Sequence, residues 1–360
     1  MATRSEVLGA PLVRSGWLEW ARSRPGVLFA GSIVALVVVL ILGVGLGSVA
    51  VAPAETVAIL AQRVFGLDLG GSWSTAAETI VVDLRLPRVL SAMIVGLGLA
   101  VAGTTFQGIL RNPLADPYVL GTASGAALGA AIGVLVPIRI VLLEFGLVQL
   151  LAFVGAVLAV AVVYRFSRTG TLAPLTSLLL TGYAVGSLLA AGLAMTMYLS
   201  GTNLRQIFFY LLGGFEGSSW LQLGLTTPII LAGTAAILLR TRVLNGFLLG
   251  EETAAHLGVD VRRERAILLS LASLITAAAV SIAGLIGFVG LVVPHVVRLV
   301  VGPNARVVLP LSALIGASLL AGADLVARLV GGIPVGIVTA VIGAPFFLVL
   351  LRQTRSGYEL

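Results

Sequence analysis

The 360-residue chain contains no cysteine, no lysine and few charged side chains of any kind. The absence of cysteine excludes a disulfide framework, a thiolate nucleophile and a cysteine metal site. Only 10% of the residues are charged, against about 25% in an average soluble domain, whereas 59% are hydrophobic. A soluble core cannot bury so many apolar side chains. The sequence therefore predicts a polytopic membrane protein.

The groups needed for chemistry are also scarce. No GxxxxGK[ST] sequence is present, so we expect no nucleotide site in the chain itself. The two histidines are far apart in sequence and no HExxH motif occurs, which argues against an intramembrane enzyme. Only Asp324 approaches a mid-membrane ionisable group, so an ion-coupled secondary transporter is the more distant alternative. We predict a protein that is not an enzyme and holds no metal or cofactor of its own.

Continuous apolar runs predict an all-α protein, because a helix satisfies its backbone hydrogen bonds within one membrane-spanning segment. We expect about ten transmembrane helices, with the eighth short or joined irregularly to the seventh. Residues 1–26 would be a cytoplasmic N-terminal segment, 27–352 a single transmembrane domain and 353–360 a cytoplasmic tail. The predicted spans are approximately 27–50, 88–110, 118–136, 145–165, 174–199, 220–239, 266–285, 287–301, 307–326 and 335–351.

The distribution of arginine predicts the topology. All 22 basic residues are arginine and the net charge is +7, which in a soluble protein would suggest nucleic acid. Here the arginines lie at the ends of spans, and with the N-terminus inside, sixteen fall on cytoplasmic segments and six on external ones. The external six are Arg63, Arg85, Arg88, Arg139, Arg205 and Arg328. This positive-inside bias places both termini in the cytoplasm, with the lipid bilayer and no nucleic acid as partner.

Small residues predict which span lies inside the bundle. The second span contains Gly96, Gly98 and Gly103 at close spacing, and small residues let helix backbones approach in lipid. The ninth span carries Asp324 and, four residues on, Arg328, a spacing that lets the two side chains pair. An acid within a span is either a functional group or half of a neutralised structural pair, and the sequence favours neither.

The longest polar interruption of the C-terminal two-thirds is the segment 244–265. Glu251 and Glu252 would occupy the first turn of a short helix, where the helix dipole favours negative charge, and Gly258 would close it. A short capped helix between two spans suits a docking element, although an ordinary charged loop fits the spacing equally well. A second short capped helix is expected at the outer face, between residues 201 and 214.

Six segments in order along the chain resemble one family. They are LRLPRVLSAMIVG at 84–96, QGILRNPLADPYVLGTASGAALG at 107–129, LLGEETAAHLGV at 248–259, GLIGFVGLVVPHVVRLVVG at 284–302, ADLVARL at 323–329 and IPVGIVTAVIGAPFFLVLL at 333–351. Together they resemble the permease subunit of bacterial ABC importers for iron chelates, namely ferric siderophores and haem, and for vitamin B12. Each motif alone is weak, but their joint occurrence is specific for the family.

The resemblance implies a working assembly in the inner, or plasma, membrane. Two copies of the permease would form a homodimer with the substrate path along their interface. Two cytoplasmic ATPase subunits would supply ATP and Mg, and an extracytoplasmic binding protein would deliver substrate. The segment 244–265 matches the family's coupling region, which fits into a cleft of the ATPase. The positions carried over to it are Gly250, Glu251, Glu252, Ala255, Leu257 and Gly258.

The resemblance also implies sites at the outer face and along the path. Three arginines, Arg85, Arg88 and Arg328, match positions that meet glutamates of the binding protein in the B12 branch. Low-ranking path candidates lie on the fifth span, where packing is the simpler explanation of the last three: Thr176, Ser177, Met195, Met197 and Tyr198. The chain departs from the family at Gly331-Gly332, where an acid is common. We expect an iron chelate as substrate, with cobalamin as the alternative.

Overall fold

The computed structural model describes residues 19, 22–47, 49, 51–71, 73–136, 146–167 and 174–355. Within these residues every regular element is helical, as the sequence predicts. The helices are α1 (Pro25–Gly45), α2 (Pro53–Phe65), α3 (Thr75–Thr79), a π-helical turn (Ile80–Arg85), α4 (Leu86–Leu110), α5 (Thr122–Leu135), α6 (Leu147–Ser167), α7 (Leu175–Leu199), a 3-10 turn (Gly201–Asn203), α8 (Leu204–Leu212), α9 (Trp220–Leu238), α10 (Thr241–Leu248), α11 (Glu251–His256), α12 (Val261–Ala283), α13 (Val289–Val301), α14 (Ala305–Leu329) and α15 (Val335–Arg355).

Seven of the described helices are long and apolar enough to cross a membrane. They are α1, the continuous stretch Thr75–Leu110, α6, α7, α9, α12 and α14. Three shorter apolar helices are Thr122–Leu135, Val289–Val301 and Val335–Val349. These ten helices overlap the ten predicted spans one for one. The number that crosses the bilayer and the side of the termini stay predictions.

Helix α4 is the centre of the bundle, and it packs against α9, α12, α13 and α14. Its glycines lie where neighbouring backbones come closest. A Cβ atom at Gly96 would stand 2.8 Å from the carbonyl carbon of Gly316 on α14, and one at Gly103 would stand 2.8 Å from the Cα of Gly290 on α13. Since real Cβ atoms do not approach so closely, only glycine permits these crossings. The prediction of an interior second span is confirmed.

Helices α12 and α13 are joined by a non-helical stretch, 284–288, as the irregular eighth span predicts. Gly284 and Phe288 both have a φ near +70°, which turns the chain between the two helices. The hydroxyl of Tyr118 donates to the carbonyl of Ile286 at 2.9 Å and satisfies one of the exposed backbone groups. This stretch therefore meets the turn between α4 and α5, where Tyr118 lies.

The turn between α4 and α5 is held by its own side chains. Asn112 Oδ1 accepts from the backbone N–H of Leu114 at 2.9 Å, and Asp116 Oδ1 accepts from that of Tyr118 at 2.8 Å. Burial raises the pKa of Asp116, and the hydrogen bond from Tyr118 opposes that effect. Pro113 and Pro117 bracket this tight turn, and its acid lies in a poorly solvated position.

Candidate functional site

The helix at the centre of the segment 244–265 is short and firmly mounted. Gly250 precedes it with φ +111°, a backbone conformation that essentially only glycine adopts. Its inner side is anchored by Ala254, which is fully buried against α10. At the other end Gly258 has φ +83°, and the N–H of Val259 donates to the carbonyl of Ala254 at 3.1 Å. The predicted short capped helix is therefore confirmed.

The side of α11 that faces away from the helical bundle is exposed. Glu252, Ala255 and Leu257 are exposed, and Leu257 exposes 66% of its surface. Leu249, just before the helix, exposes 67%. Exposed leucines beside acidic side chains form a small mixed surface of the kind that buries against a protein partner.

Two ion pairs tie the segment 244–265, the coupling segment of the expected assembly, to the helical bundle. The carboxylate of Glu251 on α11 contacts the guanidinium of Arg265 on α12. The carboxylate of Glu264 lies 3.2 Å from the guanidinium of Arg240 at the end of α9. Arg265 and Glu264 both belong to α12 and Arg240 follows the end of α9, so the two pairs connect α11 to α12 and α12 to the end of α9.

A buried polar pair lies beneath this segment, and sequence reasoning missed it. Arg298 on α13 donates to Gln107 Oε1 on α4 at 3.0 Å, and Gln107 Nε2 donates to the carbonyl of Leu291 at 3.1 Å. Arg298 also borders a small gap with Leu244 and Leu248 of α10. The signal in the sequence was a glutamine and an arginine inside apolar spans, where polar residues require a partner.

At the face that the arginine distribution predicts to be external, a fully buried carboxylate contacts two arginines. Asp324 lies 2.9 Å from the guanidinium of Arg88 and 3.1 Å from that of Arg328. The predicted pairing of Asp324 with Arg328 is confirmed. Its second partner, Arg88, is 236 residues away in sequence and was not anticipated. The acid is therefore one member of a triad that joins α4 and α14.

Two of the outer arginines also bind the backbone at the end of α1. Arg85 donates to the carbonyls of Val44 at 3.0 Å and Gly45 at 2.8 Å. Arg328 donates to the carbonyls of Gly43 at 2.7 Å and Leu46 at 3.0 Å. These carbonyls have no partner within the helix, and positive charge is favourable at a helix C-terminus. The cluster thus caps α1 and fixes it to α4 and α14.

The three predicted arginines line one cavity of about 350 Å³, which Phe215, Glu216, Ser218 and Gly332 also border. The structure therefore brings Arg85 and Arg88, which are three residues apart, together with Arg328, which is far away in sequence. Their side chains are mostly covered: Arg88 is 18% exposed and Arg328 11%. The cavity holds three guanidinium groups, and the buried carboxylate of Asp324 is shared by two of them, Arg88 and Arg328, so the cavity suits an incoming carboxylate.

The path candidates lie on α7, which is largely uncovered in the single chain. Thr176, Met195 and Tyr198 are exposed, Met197 is half-buried, and Tyr198 exposes 84% of its surface. Ser177 is half-buried and donates to the carbonyl of Ser167 at 3.1 Å, linking the start of α7 to the end of α6. The structure does not bring these five residues together into one site.

The departure from the family at Gly331-Gly332 has a conformational basis. Both residues have positive φ, +103° and +74°, in the turn between α14 and α15. The backbone N–H groups of Gly332 and Ile333 both donate to the carbonyl of Ala327 and close this turn. An acidic residue at either position would be strained in this backbone.

Comparisons with known proteins agree on one family. The sequence model of the FecCD transport family matches residues 35–353. The cobalamin import system permease protein BtuC of Halobacterium salinarum is 46% identical over 302 residues, which cover 84% of this chain and 79% of that protein. The hemin transport system permease protein HmuU of Yersinia pestis is 39% identical over 297 residues, covering 79% and 89%.

A solved structure agrees with the sequence comparisons. It is described as an inward-facing conformation of a metal-chelate type ABC transporter, and it superposes with a TM-score of 0.79 at 31% identity. The match covers 91% of this chain and 99% of that one. Both the length of the family match and the identity to full-length relatives lead to the same assignment. The chain belongs to the FecCD transport family of ABC importer permeases and is a multi-pass protein of the cell membrane.

Proposed function

We propose that this chain is the membrane-spanning subunit of an ATP-driven importer and that α11 is the element through which a cytoplasmic ATPase moves it. The observation that carries this proposal is the contrast between the bare outer side of α11 and its rigid mounting. Leu257 and Glu252 are free to be covered by a partner, whereas Ala254 and the Glu251–Arg265 pair fix the helix to the bundle. Such an element moves as a rigid body when its partner closes.

The topology that we propose has ten spans and both termini in the cytoplasm, as the positive-inside bias favours. A second copy of the chain would complete the path, because α7 leaves most of its length uncovered and carries exposed Tyr183 and Leu188. Helix α15 likewise exposes Val341 and Ile342. A homodimer with two ATPases beneath it would place the α7 helices where substrate passes.

At the outer face we propose that the arginine cavity receives acidic side chains of a substrate-binding protein. Arg88 is the most exposed of the three arginines and is the one an incoming carboxylate would meet first. Arg85 and Arg328 are held by backbone carbonyls, so they would present a fixed field rather than move to the ligand. Preorganised guanidinium groups of this kind recognise carboxylates with good geometry and steer their approach.

The substrate that we propose is a large metal chelate. Cobalamin is the first candidate, because the Halobacterium relative that is 46% identical is named for it. An iron chelate, either haem or a ferric siderophore, is the second, because the Yersinia relative that is 39% identical is named for hemin. Transport would proceed by alternating access, with substrate entering at the outer arginines and leaving between the inner ends of the α7 helices after the ATPases close.

Two measurements test these proposals in turn. The first is to purify the tagged chain in mild detergent and identify by mass spectrometry what accompanies it. An ATPase at equal stoichiometry, in a particle with the mass of two permeases and two ATPases, is expected. A lone monomer with ion-dependent uptake in liposomes would instead favour a secondary transporter. The second is uptake of radiolabelled cobalamin, haem and a ferric siderophore by the reconstituted complex, in which one of the three should be transported.

A variant of the exposed surface separates docking from folding. Glu252→Arg combined with Leu257→Asp changes only exposed side chains and leaves the Glu251–Arg265 pair intact. We expect the ATPase to be lost from the purified complex while the thermal stability of the permease is unchanged. Asp83→Arg alters an exposed acid before α4 and should retain the ATPase. Full ATPase retention by the double variant would remove α11 from the interface.

A further inference from the structure

An apolar groove of about 310 Å³ lies between α6 and α12, and it includes neither α11 nor the arginine cavity. Its walls are formed mainly by aliphatic side chains of two antiparallel helices, together with Tyr164. Val157 and Leu274, at its edges, are more than one-third exposed. Because α6 and α12 are both long and apolar enough to span the bilayer, the open side of this groove would border the hydrocarbon of the membrane.

The groove contains a polar group that has no partner in the described part of the chain. Ser273 lines it, is only 4% exposed, and its hydroxyl makes no hydrogen bond there. Most buried serines and threonines on these helices donate to a carbonyl of the preceding turn, as Thr276 does to Ala272 at 2.8 Å. A buried hydroxyl left without a partner is unfavourable, so the groove is suited to a molecule that brings an acceptor. Ser270, one turn before, offers a second hydroxyl on the same wall.

Arginines lie at the end of the groove that the positive-inside rule assigns to the cytoplasm. Arg262 and Arg263 come seven residues before Leu269 and Ser270, and a seven-residue step returns to the same face of a helix. At 1.5 Å per residue they stand about 10 Å below the groove lining. Arg165 follows Tyr164 on the opposing helix. All three are exposed, and none forms an ion pair with a carboxylate of the described residues.

We propose that this groove binds an anionic phospholipid of the inner leaflet. An acyl chain would lie along the aliphatic wall, the serine hydroxyls would donate to ester oxygens, and the phosphate would meet Arg165, Arg262 and Arg263. A cationic or neutral lipid would leave three arginines without a counter-charge. A soluble anion would leave the aliphatic wall and Ser273 unused. Basic side chains beside an intramembrane crevice at the cytoplasmic level are the arrangement that recognises acidic headgroups.

This lipid would lie between α6 and α12, at the side of the bundle predicted to face the cytoplasm, and would contact both helices. Helix α12 continues directly into the coupling segment, and α6 is linked to the start of α7 through the Ser177 hydroxyl. The inference does not depend on which substrate is transported or on which surface the ATPase binds. Its test therefore measures lipid binding and not uptake.

The experiment uses the delipidated full-length chain in detergent, titrated with dioleoyl phosphatidylglycerol or dioleoyl phosphatidylcholine and followed by native mass spectrometry. The two lipids have the same chains and differ in headgroup charge. We expect phosphatidylglycerol to bind at least tenfold more tightly. Arg262→Gln with Arg263→Gln should reduce the preference for phosphatidylglycerol about tenfold. Each basic residue near the membrane surface adds to the attraction of acidic lipids, and this variant removes two of them. Arg242→Gln with Arg306→Gln removes the same charge from other exposed cytoplasmic positions and should leave binding unchanged.

Two further variants test the apolar half of the site. Ala161→Phe fills the groove from α6 and should weaken both lipids about equally. Ser273→Ala should weaken phosphatidylglycerol about threefold. The matched Ser312→Ala, which removes another buried hydroxyl without a partner but on α14, should have no effect. Equal binding of the two lipids by the unaltered chain, or equal losses in the test and control arginine pairs, would overturn the proposal. Tight binding of glycerol phosphate, which has no acyl chains, would show that the site binds the anion alone, and would also overturn the proposal.

Discussion

The outer arginine cluster and the inner coupling segment both consist of arginines and acids, but they use their charges in opposite ways. At the outer face Asp324 is fully buried and the arginines donate to backbone carbonyls, so the charges hold helices together. At the inner face Glu252 and Leu257 remain exposed on a helix that is anchored from behind. In this protein, charged side chains that are buried stabilise the packing of helices, whereas charged side chains that are exposed remain available to a partner.

The largest effect on stability is expected from removing the buried acid, Asp324. Asp324→Ala leaves Arg88 and Arg328 desolvated without their counter-charge, and breaking a buried pair in this way costs about 3–5 kcal/mol. We expect a large drop in thermal stability, measured by fluorescence size-exclusion after heating. Glu78→Ala removes an acid that pairs with the half-exposed Arg63 and accepts a hydrogen bond from Trp73 Nε1; a surface pair is worth about 0–1 kcal/mol and a hydrogen bond about 0.5–1.5 kcal/mol. Similar losses for the two variants would mean that the outer cluster is not specially desolvated.

The buried pair beneath the coupling segment should rank second. Arg298→Met removes the donor to Gln107 Oε1 and leaves a buried amide oxygen unsatisfied, a loss of about 1–3 kcal/mol. Thermal stability should fall less than in Asp324→Ala. The double variant with Gln107→Leu should recover part of the loss, since both polar groups are then absent. A double variant less stable than Arg298→Met would show that the two side chains do not act as a pair.

The fixed position of α11 on the bundle should depend on Gly250, the glycine that precedes it. Gly250→Ala forces alanine into a backbone with φ +111°, which costs of the order of 1–3 kcal/mol locally. We expect faster hydrogen exchange of the amides of 251–259 and weaker retention of the ATPase, with little change in global unfolding. Gly224→Ala is the control, because Gly224 lies in a helix without positive φ and a Cβ there meets no atom within 4 Å. Unchanged exchange in Gly250→Ala would contradict a rigidly mounted helix.

The smallest effect is expected at the turn between α4 and α5. Because burial raises the folded-state pKa of Asp116, its neutral form contributes stability at low pH. That contribution is lost as the pH rises through the raised folded pKa. Asp116→Asn keeps an oxygen to accept from the N–H of Tyr118 and carries no charge. Between acidic and neutral pH, the stability of this variant should fall less than that of the parent protein. The measurement is the midpoint of thermal unfolding at several pH values. A parent protein whose stability rises over this range would contradict the assignment.

Much of the architecture could be read from the sequence because it depends on local composition. Apolar runs correctly located all ten apolar helices, and close-spaced glycines identified α4 as the interior span. Gly258 correctly marked the end of α11, since its position needs positive φ. The spacing of Asp324 and Arg328 correctly predicted an ion pair, because a four-residue step is a neighbour contact on any helix.

The helical class, the membrane setting and the short capped helix could be predicted from the sequence because they follow from composition and nearby residues, and the family from the resemblance of six segments. Only the tertiary structure decided which distant charges share a partner. Arg88 meets Asp324 across 236 positions, Gln107 meets Arg298 across 191, and Arg85 reaches back to the end of α1. No sequence spacing encodes these contacts. They arise because packed helices exclude water and leave each buried polar group to pair with whichever partner lies opposite.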